Sequence, residues 1–344
     1  MYNYNYIVFY LNDSRKPQAV PDGYQTLSLK DLDGVDGIHV VPYPLHHLPY
    51  FLRYLCFVCH TNRLKRIMPR FIKKLFYPFF FDKKFLSDKP LCFLLIGGGR
   101  VPSDYLSYLK KTYPDCKIIW FFRDLVRVAE ELYPDSVHDQ NIDLEMSFDN
   151  GEAQKFGMAF CPEYSSIVDL SNHSQYPTCD VFFCGQSKDR YEKLISYYRY
   201  LTEKGLKCHF YITEVPESEQ IDAEGLFYNC FMPYKEMLCR SFNAKCLLDI
   251  NQKDAYGGYT SRFYEAIMYN RKLISDNPIT KESSFYNPKD ILFVSKPEDI
   301  TDGFINDLDS IVNYNYNGEF SPIRMIERVD GILQNRYSKC TKRM

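Results

Sequence analysis

Long hydrophobic runs are missing from this chain of 344 residues. Its longest apolar stretches, around Cys92–Ile96 and Ile118–Phe122, have the length of strands, so no membrane-spanning helix is expected. No basic stretch precedes an apolar one at the start, and so no secretory leader is expected either. A charge excess is missing too: the net charge of −2 excludes a generally basic protein but leaves room for a local basic patch. Tryptophan occurs once, against 30 Tyr and 26 Phe, so aromatic packing rests on those two residues. A second C-x-x-C is absent, which leaves Cys56-Phe57-Val58-Cys59-His60 without the partner pair a zinc site requires. The same string matches haem attachment, but that chemistry belongs to exported proteins, and chance in a chain with twelve cysteines explains it better. Several of those cysteines (Cys92, Cys184, Cys246) sit inside apolar runs as small core residues, which fits reduced thiols and a cytoplasmic location.

What is present is ordinary globular composition, 45% apolar and 25% charged, in a chain long enough for two buried cores. Short apolar runs alternate with helical patterns. Strands are predicted at Tyr6–Leu11, Ile38–Val41, Leu91–Ile96, Lys117–Phe122 and Leu144–Phe148, then at Asp180–Cys184, Lys207–Ile212, Cys246–Ile250, Lys272–Ser275 and Ile291–Val294. That alternation predicts an α/β chain of two Rossmann-like domains facing a central cleft, where ligands collect at the carboxyl ends of the strands. The polar stretch Ser165–Thr178 places the boundary: an N-terminal domain at 1–168, a second at 169–318, and a final helix in 319–344 that packs back on the first.

Residues 50–85 stand apart, with nine Lys and Arg, including Lys73, Lys74, Lys83 and Lys84, against the single acid Asp82. Phe51, Phe57, Phe71, Phe76 and Phe79–Phe81 are interleaved with them. This insertion suits an anionic membrane surface. A helical hairpin whose aromatics fill the core is the plainer reading, and nucleic acid the least favoured.

Two glycine turns follow strands. Gly97-Gly98-Gly99-Arg100 has the context of a phosphate-binding turn, but Pro102 replaces the last glycine of a dinucleotide fingerprint, so a tight turn admitting an acceptor through Gly98, Gly99 and Arg100 fits better. The second turn is Gly257-Gly258, followed by Tyr259-Thr260-Ser261-Arg262 opening a helix that bears Glu265. Free N–H groups and the positive helix end suit a diphosphate, Arg262 adds a charge-assisted contact, and Glu265 can accept from vicinal hydroxyls. A capped helix with an ordinary surface acid is the alternative.

The segment 244–277, with Asp180–Arg190 (DVFFCGQSKDR), resembles the nucleotide-sugar-binding half of GT-B glycosyltransferases that build bacterial lipopolysaccharide or capsular polysaccharide. The resemblance covers about residues 145–280. It implies a metal-independent transfer from a nucleotide-diphosphate sugar, UDP-linked in the commonest case, to a glycan or lipid-linked acceptor in the first domain. It implies no cofactor and a peripheral place at the inner face of the plasma membrane. Gly185 would admit the donor, and Arg190 would meet its phosphates. The first acid of the paired-glutamate motif of retaining members is replaced by Gly257, which leaves the stereochemical outcome open. An inverting enzyme needs a base on the acceptor hydroxyl, for which Asp13, Asp124 and Asp149 are candidates at strand ends. The alternatives are a sugar-nucleotide epimerase or NAD(P)-dependent oxidoreductase on the same scaffold, and a non-catalytic protein that binds membrane surfaces.

Overall fold

Asn5–Tyr10 (β1) and Leu91–Ile96 (β3) are buried on both faces, as expected of near-continuous apolar runs in a parallel sheet. The computed structural model describes residues 2–10, 23–42, 45–60, 70–97, 103–132, 137–252 and 257–341. Around β1 and β3 lie Ile38–Val41 (β2), Lys117–Phe122 (β4), Leu144–Ser147 (β5) and Ala159–Phe160 (β6). All pair in parallel, in the order β2-β1-β3-β4-β5-β6.

The helices of this part are Tyr24–Ser28 (α1), Tyr50–His60 (α2), Arg70–Lys74 (α3), Ser103–Thr112 (α4), Val126–Leu132 (α5) and Asn150–Phe156 (α6). On α4, Tyr105, Leu106 and Leu109 form one fully buried face in a core with Ile7, Phe9, Phe93 and Trp120.

The second sheet is built from Cys179–Gln186 (β7), Cys208–Thr213 (β8), Leu226–Tyr228 (β9), Ala244–Asp249 (β10), Lys272–Ser275 (β11) and Ile291–Phe293 (β12). Its order, β12-β11-β10-β7-β8-β9, is again wholly parallel. Read from the other edge, this is the doubly wound order whose direction reverses between the first and fourth strands, here β7 and β10. Helices Tyr191–Glu203 (α7), Tyr234–Phe242 (α8), Ser261–Met268 (α9) and Asp302–Asn306 (α10) complete it. The two short strands β6 and β9 carry too few residues to show periodicity, and the sequence reading does not predict them. Gly225 lets β9 approach β8: its φ is +85°, and a Cβ there would overlap the Cys208 carbonyl.

The chain divides into two compact units. Unit 1 holds the residues up to Ser166 together with those from Phe320 on, and unit 2 runs Ile167–Glu319. The last helix, Pro322–Thr341 (α11), is tied to β1 through Asp330. Its carboxylate accepts from the Tyr6 hydroxyl at 2.8 Å, the Asn3 amide at 3.1 Å and Asn3 Nδ2 at 2.7 Å. These are two Rossmann-like units of the GT-B type.

Candidate functional site

In a doubly wound sheet, the crevice where strand order reverses lies at the carboxyl ends of the strands. In unit 2 those ends are Cys184–Gln186 on β7 and Asp249–Ile250 at β10, and two arginines converge there. Arg262, in the first turn of α9, donates from Nη2 to the Cys184 carbonyl. Arg190, just ahead of α7, donates from Nη1 to the Ile250 carbonyl, and from Nε and Nη2 to the Gln186 carbonyl at 3.2 and 3.1 Å. Both guanidiniums lie over the Phe183 ring, at 4.6 Å (Arg262) and 5.4 Å (Arg190) from its centroid.

Gly185 makes the convergence possible. A Cβ at that position would overlap Arg262 Nη2 and stand 3.3 Å from Arg190 Nη2. The space the sequence reading gave to a ligand above Gly185 is therefore occupied by guanidinium. Because the clash falls on the mobile end of a side chain, Gly185→Ala is expected to displace Arg262 rather than unfold the unit. The check is a thermal melt, in which the melting temperature moves by no more than a few degrees.

Two like charges so close need a counter-charge. Asp249 supplies it, fully buried, with Oδ1 3.7 Å from Arg262 Nη1 and Oδ2 accepting from Ser275 Oγ at 3.0 Å. Burial raises the Asp249 carboxyl, and Arg262 and its hydrogen bonds pull it back. Burial, then Arg262, lowers Arg190 to about 10, which still leaves it protonated at neutral pH. Asp276 is committed elsewhere: Lys193 Nζ lies 2.5 Å from Oδ2, and Asn251 donates to Oδ1 from its backbone at 2.7 Å and its side chain at 2.9 Å. Among the described residues Arg190 forms no ion pair within 4 Å, although Asp249, Asp276 and Asp189 act on it electrostatically. The site opens on a groove of about 600 Å³ lined by the bases Lys188, Arg190 and Lys193, the acids Asp189, Glu192, Glu219 and Asp276, and by Tyr191 and Asn251. Such a volume suits a ligand of nucleotide size.

The glycine loop and α9 complete the arrangement. Thr260 caps α9, its hydroxyl accepting from the Phe263 amide at 3.3 Å, and the first turn carries no acid. Gly257 leads into Gly258, whose carbonyl accepts from buried Asn277 at 2.9 Å, while Tyr259 stacks on Phe263 at 4.2 Å. Glu265 is not the surface acid of the plainer reading: it is 3% exposed and accepts from the Tyr234 hydroxyl at 3.2 Å. Burial pushes its carboxyl up to about 7 against the opposing pull of Arg262. With Cys184, Ser241, Ser261 and Arg262 it lines a cavity of about 30 Å³, room for one water.

The structure thus brings Gly185, Arg190, Ser261, Arg262 and Glu265 together. Asp249, Asp276, Lys193, Asn251 and the Phe183 plate are additions that sequence reasoning missed. Asp249 ends a predicted strand and Lys193 follows Arg190 by one helical turn, which were the available signals.

The unit 1 candidates are dispersed. Asp124 is exposed in the bend after β4, and Asp149 is buried as the N-cap of α6, accepting from the Glu152 amide at 2.9 Å. Lys74, Lys83 and Lys84 are exposed, the last 3.1 Å from Asp82. Asp13, Gly98, Gly99, Arg100 and the Lys73 side chain lie outside the described residues. Among the described residues no helix is long and apolar enough to cross a membrane, and no group of three or more His, Cys, Asp or Glu is placed to hold a metal ion.

No family model matches the chain, and no curated protein does. Solved structures do. A putative UDP-N-acetylglucosamine 2-epimerase from Listeria monocytogenes superposes with a TM-score of 0.51 at 8% identity, over 96% of this chain and 97% of its own. A second UDP-N-acetylglucosamine 2-epimerase gives 0.51 at 9%, over 98% and 97%. The chain has their fold. This corrects the expectation of a glycosyltransferase for lipopolysaccharide or capsule: these two structures, which share the fold along the whole chain, are of sugar-nucleotide epimerases, which was the alternative reading. The physical reason is that a glycine loop, a Thr-Ser-Arg helix start and a glutamate are features suited to an anionic, hydroxyl-bearing ligand. They do not specify what is done to a sugar attached to it.

Proposed function

We propose that the chain is a sugar-nucleotide epimerase acting on a UDP-linked sugar, with unit 2 holding the nucleotide. The observation that carries this reading is the Arg190–Arg262 pair at the β7/β10 switch point, in a chain with the fold of UDP-N-acetylglucosamine 2-epimerases. The guanidiniums turn from the Ile250 and Cys184 carbonyls to the diphosphate, joined by the free N–H groups at the start of α9. Glu265, when ionised, is the acceptor for the ribose hydroxyls once the arginines turn to the diphosphate and open the one-water cavity that it lines. Positive charge on the diphosphate draws electron density from the sugar's C1–O bond and acidifies the neighbouring C–H. As a base takes that proton, the C–H electron pair forms a double bond to C1 and the C1–O bond breaks, releasing UDP; a proton added to the opposite face as UDP re-adds to C1 then gives the inverted sugar.

The test is proton NMR of the full chain with UDP-N-acetylglucosamine in D₂O. A second UDP-sugar should grow in, with deuterium at the inverted carbon, and Arg262→Ala should slow it by about a hundredfold or more. An unchanged sugar nucleotide that nonetheless binds, as seen by calorimetry, overturns the epimerase assignment and spares the nucleotide site.

A further inference from the structure

Exposed apolar side chains are gathered on one stretch of unit 1. On α2, Tyr50 with Tyr54 and Phe51 with Leu55 are two i, i+4 pairs and share a face, while Cys56 on the opposite side is buried. The Tyr50 and Tyr54 rings stack at 6.2 Å. The neighbouring α3 adds Phe71, and Leu75 follows it. Phe51, Phe71 and Leu75 are 70%, 68% and 67% exposed. By contrast Phe231 and Ile311, the other strongly exposed apolar side chains, stand singly in unit 2. Clustered exposure of this kind marks a contact surface.

The same stretch anchors firmly: Cys56, Tyr77, Phe80 and Phe81 enter the unit 1 core, so the aromatic residues split between core and surface. The charge around the patch is mostly positive. Lys74, Lys83 and Lys84 are exposed, the Arg53 guanidinium lies 5.6 Å over the Tyr50 ring, and Asp82 is the single acid against nine bases from Tyr50 to Phe85.

We propose that this face docks unit 1 on an anionic lipid bilayer, its aromatic and leucine side chains entering the interface while the lysines meet lipid phosphates. Charge decides the occupant. A second copy would bring the described bases Arg53, Lys74, Lys83 and Lys84 against their own kind, and a neutral apolar partner would leave them unmatched. An anionic bilayer satisfies both the apolar side chains and the bases.

Flotation of the full chain with vesicles of phosphatidylglycerol and phosphatidylcholine, against phosphatidylcholine alone, tests this. Binding is expected to the anionic vesicles only and to fall as salt rises. Lys74→Glu/Lys83→Glu/Lys84→Glu should lower the partition coefficient by a hundredfold or more, since each basic residue near the surface contributes about fivefold. Phe51→Ser/Phe71→Ser/Leu75→Ser should lose binding with an unchanged melting temperature, because those side chains are exposed. Any of three results overturns the proposal: no flotation at low salt, flotation equal on both vesicles, or charge-dependent binding to heparin and vesicles alike that survives the serine variant. So does a concentration-dependent dimer dissolved by the serine variant, which would assign the face to self-association.

Discussion

Glu265→Gln is expected to make the ligand-free protein more stable above neutral pH and, in the proposed nucleotide site, to weaken binding of UDP. The sign follows from the carboxyl's position. Folding raises it from the ordinary 4.5 to about 7, so the native state binds this proton more tightly than the unfolded chain does. Below about 4.5 both states are protonated and the group is neutral to stability. As pH rises from there to about 7, the unfolded chain is ionised first and stability is lost; above about 7 the loss is complete. The difference corresponds to about 3 kcal/mol. Glutamine removes the titration and still accepts from the Tyr234 hydroxyl, so melts from pH 5 to pH 9 should converge at the acid end and separate by several degrees at the basic end. UDP affinity moves the other way, since an amide is a weaker acceptor for ribose hydroxyls than a carboxylate. For the same reason, UDP affinity of the unaltered protein should rise as pH increases through about 7. Parallel curves for the two proteins in the melts would show that Glu265 titrates as an ordinary exposed acid.

Arg262→Ala has the second large effect, on fold and ligand together. It strips Asp249 of the cation 3.7 Å from its Oδ1 and leaves a fully buried carboxylate with the Thr260 and Ser275 hydroxyls as its remaining hydrogen-bond partners. Breaking a buried pair from one side costs about 3–5 kcal/mol, because it leaves an uncompensated buried charge. Asp249→Asn in the Arg262→Ala background should therefore restore most of the lost stability, since it removes the stranded charge. It should not restore UDP binding, which needs the guanidinium. A denaturant titration of the two variants, each with a UDP titration, reads both quantities. Equal stabilities would show that the ion pair contributes nothing measurable; recovered binding would remove Arg262 from the ligand site.

The strands were the most legible part of this chain, and the reason is physical. A parallel strand covered on both faces is an uninterrupted apolar run such as LCFLLI or KIIWFF, bounded by turn residues. Segments of two or three residues, β6 and β9, hold no such pattern. Within the site, Arg190, Arg262 and Glu265 stood out through their position after a strand or at a helix start. Their mutual geometry did not. Arg190 and Arg262 are far apart in sequence, and nothing in the string shows that one guanidinium fills the place of the missing Gly185 side chain. The burial of Glu265 was hidden likewise, because it depends on α8 bringing Tyr234 and Ser241 against α9. The chemistry was misread for a related reason: the residues that hold a diphosphate are the same whether the sugar is transferred or inverted in place.

The central claim is that the two arginines at the β7/β10 switch point hold the diphosphate of a UDP-sugar. Calorimetric titration of UDP into the full chain, into Arg190→Ala and into Arg262→Ala tests it most directly. The account predicts one site per chain, weakened about tenfold or more by either substitution, with uridine alone binding far more weakly than UDP. Equal affinity for uridine and UDP, or UDP binding unchanged in both variants, would contradict it.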